Sequence, residues 1–244
     1  MAASAQPDPL QNRLLAALPE EARERLFPHM KSVDLPLGKV LFESGDKEHH
    51  VYFPTDGIVS LLYVMENGAS AEISVVGREG LIGVAVFMGG ESSPSRALVQ
   101  SAGSAFSLTS QRLRAEFNHY PEMRMLLLRY TQALITQMAQ TAVCNRHHSI
   151  DQQLCRWLLL SLDRLSGSEL RMTQELIANM LGVRREGVTE AAGKLQDLGV
   201  INYRRGHITV TDRTRLEELS CECYKVVKAE TDRLESNMPL FNVQ

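Results

Sequence analysis

Arg185, Glu186, Thr189 and Glu190 are the residues of this 244-residue chain whose types and spacing could do the most chemistry. On a helix of 3.6 residues per turn they share one face, opposite Val188, Ala191, Ala192 and Leu195, which form an i, i+3, i+4, i+7 apolar set. An arginine there can donate two hydrogen bonds to guanine O6 and N7. A carboxylate beside it can accept one from the cytosine amino group. Charged residues opposite an apolar stripe are also what a plain solvated helix face looks like. The neighbouring sequence decides between the two.

Upstream, Thr173 is placed to cap a short helix whose apolar residues are Leu176, Ile177, Met180 and Leu181, and Gly182 supplies a turn. Downstream, the runs 200–203 and 208–210 read as two strands about the Gly-containing turn Arg204-Arg205-Gly206-His207. Helix, turn, helix and a basic hairpin make a winged helix-turn-helix. Its second helix reads bases while its wing touches phosphates. The candidate DNA-contacting residues are therefore Thr173, Arg184, Arg185, Glu186, Thr189, Glu190, Lys194, Arg204 and Arg205. Over residues 183–207 the basic side chains outnumber Glu186, Glu190 and Asp197, although the whole chain has a net charge of −3. Positive charge concentrated locally in a negative chain fits a binder that relies on pairing and on base contacts.

Other clusters invite different chemistry. Glu48-His49-His50 would suit a metal-dependent cupin-like enzyme, but adjacent residues of a strand point to opposite faces. His147 and His148 with Asp151 read as junction residues. Cys221-Glu-Cys223 resembles a ligand pair. Leu216, Leu219, Cys223, Val226, Val227 and Leu234 recur at helical spacing, however, and residues two apart on one helix point to different sides. With Cys144 and Cys155, these cysteines are expected to be free, buried thiols, and no metal ligand, cofactor or catalytic residue is assigned. No nucleophile elbow, P-loop or dinucleotide fingerprint is present. A scaffold using its winged helix for protein contacts is the remaining alternative, and Arg185 and Arg204-Arg205 argue against it.

The elements that would position these residues follow from periodicity and turn signals. The expected class is α+β: a β-roll or jelly-roll sensor, a long dimerisation helix and a C-terminal winged helix-turn-helix. Short apolar runs at 40–42, 51–53, 58–64, 71–76 and 97–99 alternate with Gly-centred turns, Asp56-Gly57 among them. Residues from 121 to about 145 read as one helix. Leu127, Thr131, Leu134, Met138 and Thr141 lie on it at alternating four- and three-residue steps, the spacing of a dimer seam. Ser149 and Gln152 form a capping box that opens the next helix. The expected units are an N-terminal helical segment (1–30), the β-roll (31–118), the dimerisation helix (119–147), the winged helix domain (148–236) and a tail (237–244). A hydrophobic content of 44% with no long apolar run is globular. The opening residues lack a basic region followed by an apolar core, so a cytoplasmic protein is expected.

In this order of elements, and most specifically over residues 173–195, the wing and residues 208–213, the chain resembles the Crp/Fnr family of bacterial transcription regulators. The resemblance implies a homodimer that reads a palindromic operator, contacts RNA polymerase if it activates, and can answer to a small-molecule effector. Glu190 stands where better-known members carry arginine, so the half-site should differ from theirs. The stretch matching the cyclic-nucleotide pocket is Gly83-Val84, then Ser95-Arg96. Val84 replaces the glutamate that holds the ribose, which argues against cyclic AMP. The cysteine cluster of the oxygen-sensing branch has no counterpart near the N-terminus, since the first cysteine is Cys144.

Overall fold

The computed structural model describes residues 8–165 and 167–236. The first seven residues of the expected N-terminal segment and the expected tail (237–244) lie outside them. Two short helices, α1 (Arg13–Ala16) and α2 (Glu20–Leu26), lead the chain, and Pro19 at the N-cap of α2 separates them. Leu14, Leu15, Leu18, Ala22 and Leu26 are buried against the first β-sheet. Buried Asn12 caps α1 through the Leu15 amide, and its own side-chain amide donates to the carbonyls of Pro54 and Gly80, each at 2.8 Å. This ties the segment to the sheet.

That sheet is antiparallel, with β1 (Lys31–Leu35), β5 (Arg96–Thr109), β3 (His50–Val64) and β4 (Ser70–Val76) side by side, and β2 (Val40–Phe42) also paired to β5. The runs 51–53 and 58–64, expected as separate strands around an Asp56-Gly57 turn, belong to the single strand β3. Asp56-Gly57 is a bulge at which the β3–β5 register shifts. Gly57 adopts φ +82°, and a Cβ there would lie 2.6 Å from the Ser101 carbonyl oxygen. Gly103 faces the same bulge, where a Cβ would lie 2.4 Å from the Asp56 carbonyl. The two glycines let the paired strands bend together instead of turning back.

The polypeptide then enters α3 (Ser110–His119), capped by Thr109, within the stretch expected to finish the β-roll. Pro121 opens α4 (Pro121–His147) at a position where its missing N–H costs nothing. The Ser149–Gln152 capping box forms as expected and starts α5 (Ile150–Leu162). A short strand β6 (Glu169–Arg171), then α6 (Gln174–Leu181), α7 (Arg185–Asp197) and the hairpin β7 (Ile201–Arg204) and β8 (His207–Val210) follow. The strands form a second sheet in the order β6-β8-β7. Helices α8 (Arg213–Leu219) and α9 (Glu222–Ser236) close the described chain.

Helix α4 corrects the expected dimer seam. Leu127 and Leu134 are 0% and 4% exposed within the single chain, Thr131 and Thr141 are buried with them, and Met138 packs partly against the same core. These residues pack within the single chain, and Thr141 accepts from Arg156 of α5 at 3.1 Å. One residue further along, Leu128 and Ile135 are 46% and 50% exposed, in line with exposed Met125, Gln132, Ala139 and Ala142. A helix that covers its own sheet and also offers a face outward carries two stripes about 100° apart.

The two halves share polar and apolar contacts. Ile58, Leu62 and Val75 of the first sheet join the core built from Trp157, Leu158, Ile177, Leu195 and Leu216, while Leu234 of α9 joins the first core. Gln137 of α4 donates to the Ser74 hydroxyl and the Val75 carbonyl. Arg164 reaches Gln137 at 2.8 Å and Glu79 at 2.6 Å, and the Trp157 indole donates to Glu72 at 3.0 Å.

Candidate nucleic-acid interface

The interface is built on α6, α7 and the hairpin. Thr173 caps α6, its hydroxyl accepting from the Leu176 amide at 3.3 Å, and Gly182 ends the helix at φ +66°. Ile177, Ala178, Met180 and Leu181 pack inward, whereas Leu176, expected among them, is partly exposed. Arg184 stands at the N-cap of α7 without a side-chain cap, and α7 buries Val188, Ala191, Ala192 and Leu195 as its spacing requires. Arg185, Glu186, Thr189 and Glu190 are all exposed on the opposite side.

Within that face the side chains divide. Thr189 hydrogen-bonds the Gln174 side-chain oxygen at 2.8 Å and also lies 3.0 Å from the Arg185 carbonyl. Glu190 is turned to Lys194 at 3.0 Å, and Lys194 also reaches Asp151 of α5 at 3.2 Å. Hydrogen bonds donated to Glu190 and then Asp151 hold the Lys194 ammonium above its ordinary range. Glu190 and Lys194 thus neutralise each other beside α5, and Arg185, Glu186 and Thr189 form the open part of the face. A groove of about 640 Å³ runs past Arg185 and Thr189 between Thr173, Gln174, Tyr203 and Arg205. Gln174 and Tyr203 were not identified from sequence. Tyr203 is set by its hydroxyl bond to the Met172 carbonyl at 2.9 Å, a contact that no local pattern reveals.

The wing is a tight hairpin. Arg204 pairs with His207 across it, and both residues of its two-residue turn have positive φ, Arg205 at 50° and Gly206 at 81°. Such turns match the right-handed twist of the strands and place the turn side chains at the tip. Arg204 and Arg205 are exposed there, and His207 lies 2.8 Å from Glu169.

In the β-roll, Gly83 sits at φ +109° against Val51 and Glu48, and Val84 opens a 3-10 turn, Val84–Val86. Ser95 is buried with its hydroxyl 2.8 Å from that of Ser93, and Arg96 pairs with Glu43 at 2.6 Å. The Arg96 guanidinium therefore already has a carboxylate partner. Glu48 is buried with neither carboxyl oxygen hydrogen-bonded, and burial pushes it up to about 7. His49 and His50 are exposed, so the Glu48-His49-His50 run does not converge on one point. Among the described residues, no helix is long and apolar enough to cross a membrane.

The expectation that Cys221 and Cys223 diverge on one helix does not hold. Helix α8 ends at Leu219 and α9 starts at Glu222, with Ser220 extended between them, so helical spacing does not govern Cys221. Its sulfur lies 3.5 Å from that of Cys144, and the Cys223 sulfur lies 3.6 Å from His148 Nδ1.

Two family profiles match the chain: one described as a cyclic nucleotide-binding domain over residues 32–120, and one as a Crp-like helix-turn-helix domain over residues 152–219. Between them they span more than half of it. The chain is 24% identical to the global nitrogen regulator of Synechocystis sp. over 85% of its own length and 96% of that protein's. It is 23% identical to a protein named CRP-like cAMP-activated global transcriptional regulator from Mycobacterium tuberculosis, covering 78% of this chain and 88% of that one. Its fold is similar to the crystal structure of a transcriptional regulator of the crp/fnr family from Eubacterium rectale, with a TM-score of 0.67 at 16% identity, covering 84% of this chain and 96% of that chain. With a capped α6, an exposed Arg185–Thr189 face and a basic wing behind a β-roll, this chain belongs to the Crp/Fnr family of DNA-binding transcription regulators.

Proposed function

We propose that the protein works as a homodimer whose two α7 helices read a palindromic operator through Arg185, Glu186 and Thr189. Thr173, Arg184, Arg204 and Arg205 hold the phosphates on either side. The observation that carries this reading is the open Arg185–Thr189 face flanked by the groove toward Arg205. Pairing would use the outward stripe of α4, Met125, Leu128, Ile135 and Val143, whose exposed apolar side chains need cover. Glu190 and Lys194 contribute little charge to the duplex, because each already neutralises the other.

The β-roll would act on the DNA-binding half by favouring one dimer geometry, and any effector by binding that geometry better. That effector is a small molecule other than cyclic AMP: Val84 offers no hydrogen-bond acceptor to a ribose, and Arg96 is paired with Glu43. The site of action is the cytoplasm, with RNA polymerase as a further partner where the protein activates.

Titration of wild type and Arg185→Ala against a duplex selected by the wild type, and against a scrambled duplex, tests the reading. Arg185→Ala should weaken the selected duplex by about 1–3 kcal/mol and leave the scrambled one unchanged. Equal losses on both duplexes would place Arg185 on the backbone instead of a base.

A further inference from the structure

Four side chains with metal-ligand chemistry meet where α4 ends and α9 begins. Cys144 and His148 are four apart, so they share one face at the end of α4, where His148 is the C-cap. Cys221 occupies the break before α9 and Cys223 its first turn. The Cys144 and Cys221 sulfurs are 3.5 Å apart, the Cys223 sulfur and His148 Nδ1 are 3.6 Å apart, and all four donor atoms lie within 4.8 Å of one another. The three thiols are buried and His148 is half-buried.

We propose that Cys144, His148, Cys221 and Cys223 bind one zinc-class divalent ion, which ties the end of the long helix to the start of the last one. An ion with bonds of about 2.3 Å to sulfur and about 2.0 Å to nitrogen sets tetrahedral edges of about 3.8 Å between sulfurs and about 3.5 Å between sulfur and nitrogen. The two close pairs lie within a few tenths of an ångström of those edges. A disulfide between Cys144 and Cys221 would need its sulfurs at about 2.05 Å and would leave Cys223 and His148 without a role. Ordinary core thiols pack among aliphatic side chains. These three instead form a cluster separate from both hydrophobic cores.

The surroundings of His148 support the assignment. Its Nε2 lies 3.3 Å from the Glu222 carboxylate. With the proton on Nε2 and directed at Glu222, the Nδ1 lone pair is free to face the thiolates. This is the carboxylate–histidine arrangement that orients imidazole ligands and raises their basicity. Three thiolates and one imidazole favour zinc-type ions over magnesium, calcium or manganese, which prefer oxygen. Four protein ligands close the tetrahedron, so the site is structural and has no open position for a substrate. Binding releases the three thiol protons and leaves the site with one net negative charge. Buried Arg156 lies close enough to act electrostatically on Cys144. It donates to the Thr141 hydroxyl at 3.1 Å, and its Nε has no partner among the described residues.

This site stands on its own geometry, whatever the operator proves to be. The test uses the full, untagged chain purified under reductant without oxygen. Elemental analysis should find one zinc per chain. After chelation, cobalt should bind at one equivalent with the sulfur-to-cobalt charge-transfer and intense d–d bands of a tetrahedral thiolate centre. His148→Ala and Cys223→Ser should lose that spectrum, whereas Cys155→Ala, a buried cysteine outside the cluster, should keep it. Because the cobalt spectrum is read on the wild-type chain, the test survives variants that fail to fold. Substoichiometric zinc after loading with no tetrahedral cobalt bands, unchanged metal content in His148→Ala with Cys223→Ser, or a Cys144–Cys221 disulfide in the protected protein would each overturn the proposal.

Discussion

Arg205 is the described non-glycine residue with positive φ, and it sits at the tip of the wing, where a cation meets DNA most readily. The left-handed conformation costs a non-glycine residue about 1–2 kcal/mol. Replacing it with glycine removes that strain but adds about 0.5–1 kcal/mol of backbone entropy to the unfolded chain. Arg205→Gly should therefore unfold in denaturant at the wild-type midpoint or slightly above. The same variant should bind every duplex more weakly and flatten the salt dependence by about one unit, as loss of one phosphate contact requires. Glu48 makes the opposite compromise, with a carboxyl buried where nothing bonds it. Burial pushes its pKa up from 4.5 to about 7, so the folded state holds a proton that the unfolded chain has released. Stability is then greatest below the unfolded value, declines as pH rises through the window from 4.5 to about 7, and levels off above it. Glu72, pushed to about 7 by burial against the opposing hydrogen bond from Trp157, has the same sign. Glu48→Gln should gain stability relative to wild type on going from about pH 5 to about pH 8. A difference that stays constant across that range would contradict the assignment.

At the scale of elements, α4 separates two roles that one sequence pattern confuses. Leu134 belongs to the inner stripe and Ile135 to the outer. Ile135→Glu should leave the fold intact and yield a monomer in sedimentation or light scattering. Leu134→Ala should instead cost about 2–5 kcal/mol of stability while the oligomeric state persists. The opposite outcome would restore the Leu127–Thr141 seam as the dimer contact. Local chemistry was legible where it is local: the Ser149–Gln152 capping box, the Thr173 cap, the Gly182 turn and the buried set of α7 all form as their residue types require. What could not be seen depends on partners distant in sequence. Asp56-Gly57 reads as a turn until Gly103 on the facing strand makes room for a bulge. Glu190 reads as base-facing until Lys194, which Asp151 also holds, pairs with it. Cys221 reads as helical until the break at Ser220 frees it to meet Cys144.

At the scale of the whole molecule, the β-roll and the DNA-binding half are not independent beads. Gln137, Arg164, Glu79 and Ser74 link them through buried hydrogen bonds, and α9 returns along α4. In the proposed dimer, a movement in the roll would reach α7 through packed elements, and the outer stripe of α4 would set where a second α7 lies. Two such helices related by a two-fold axis must enter successive major grooves on one face of the duplex. Selection of bound sequences from random duplex DNA by the full chain tests this most directly. The expected result is an inverted repeat whose half-site centres lie about 10 base pairs apart, or a whole-turn multiple of that. A single unrepeated motif, or no enrichment at all, would contradict the account.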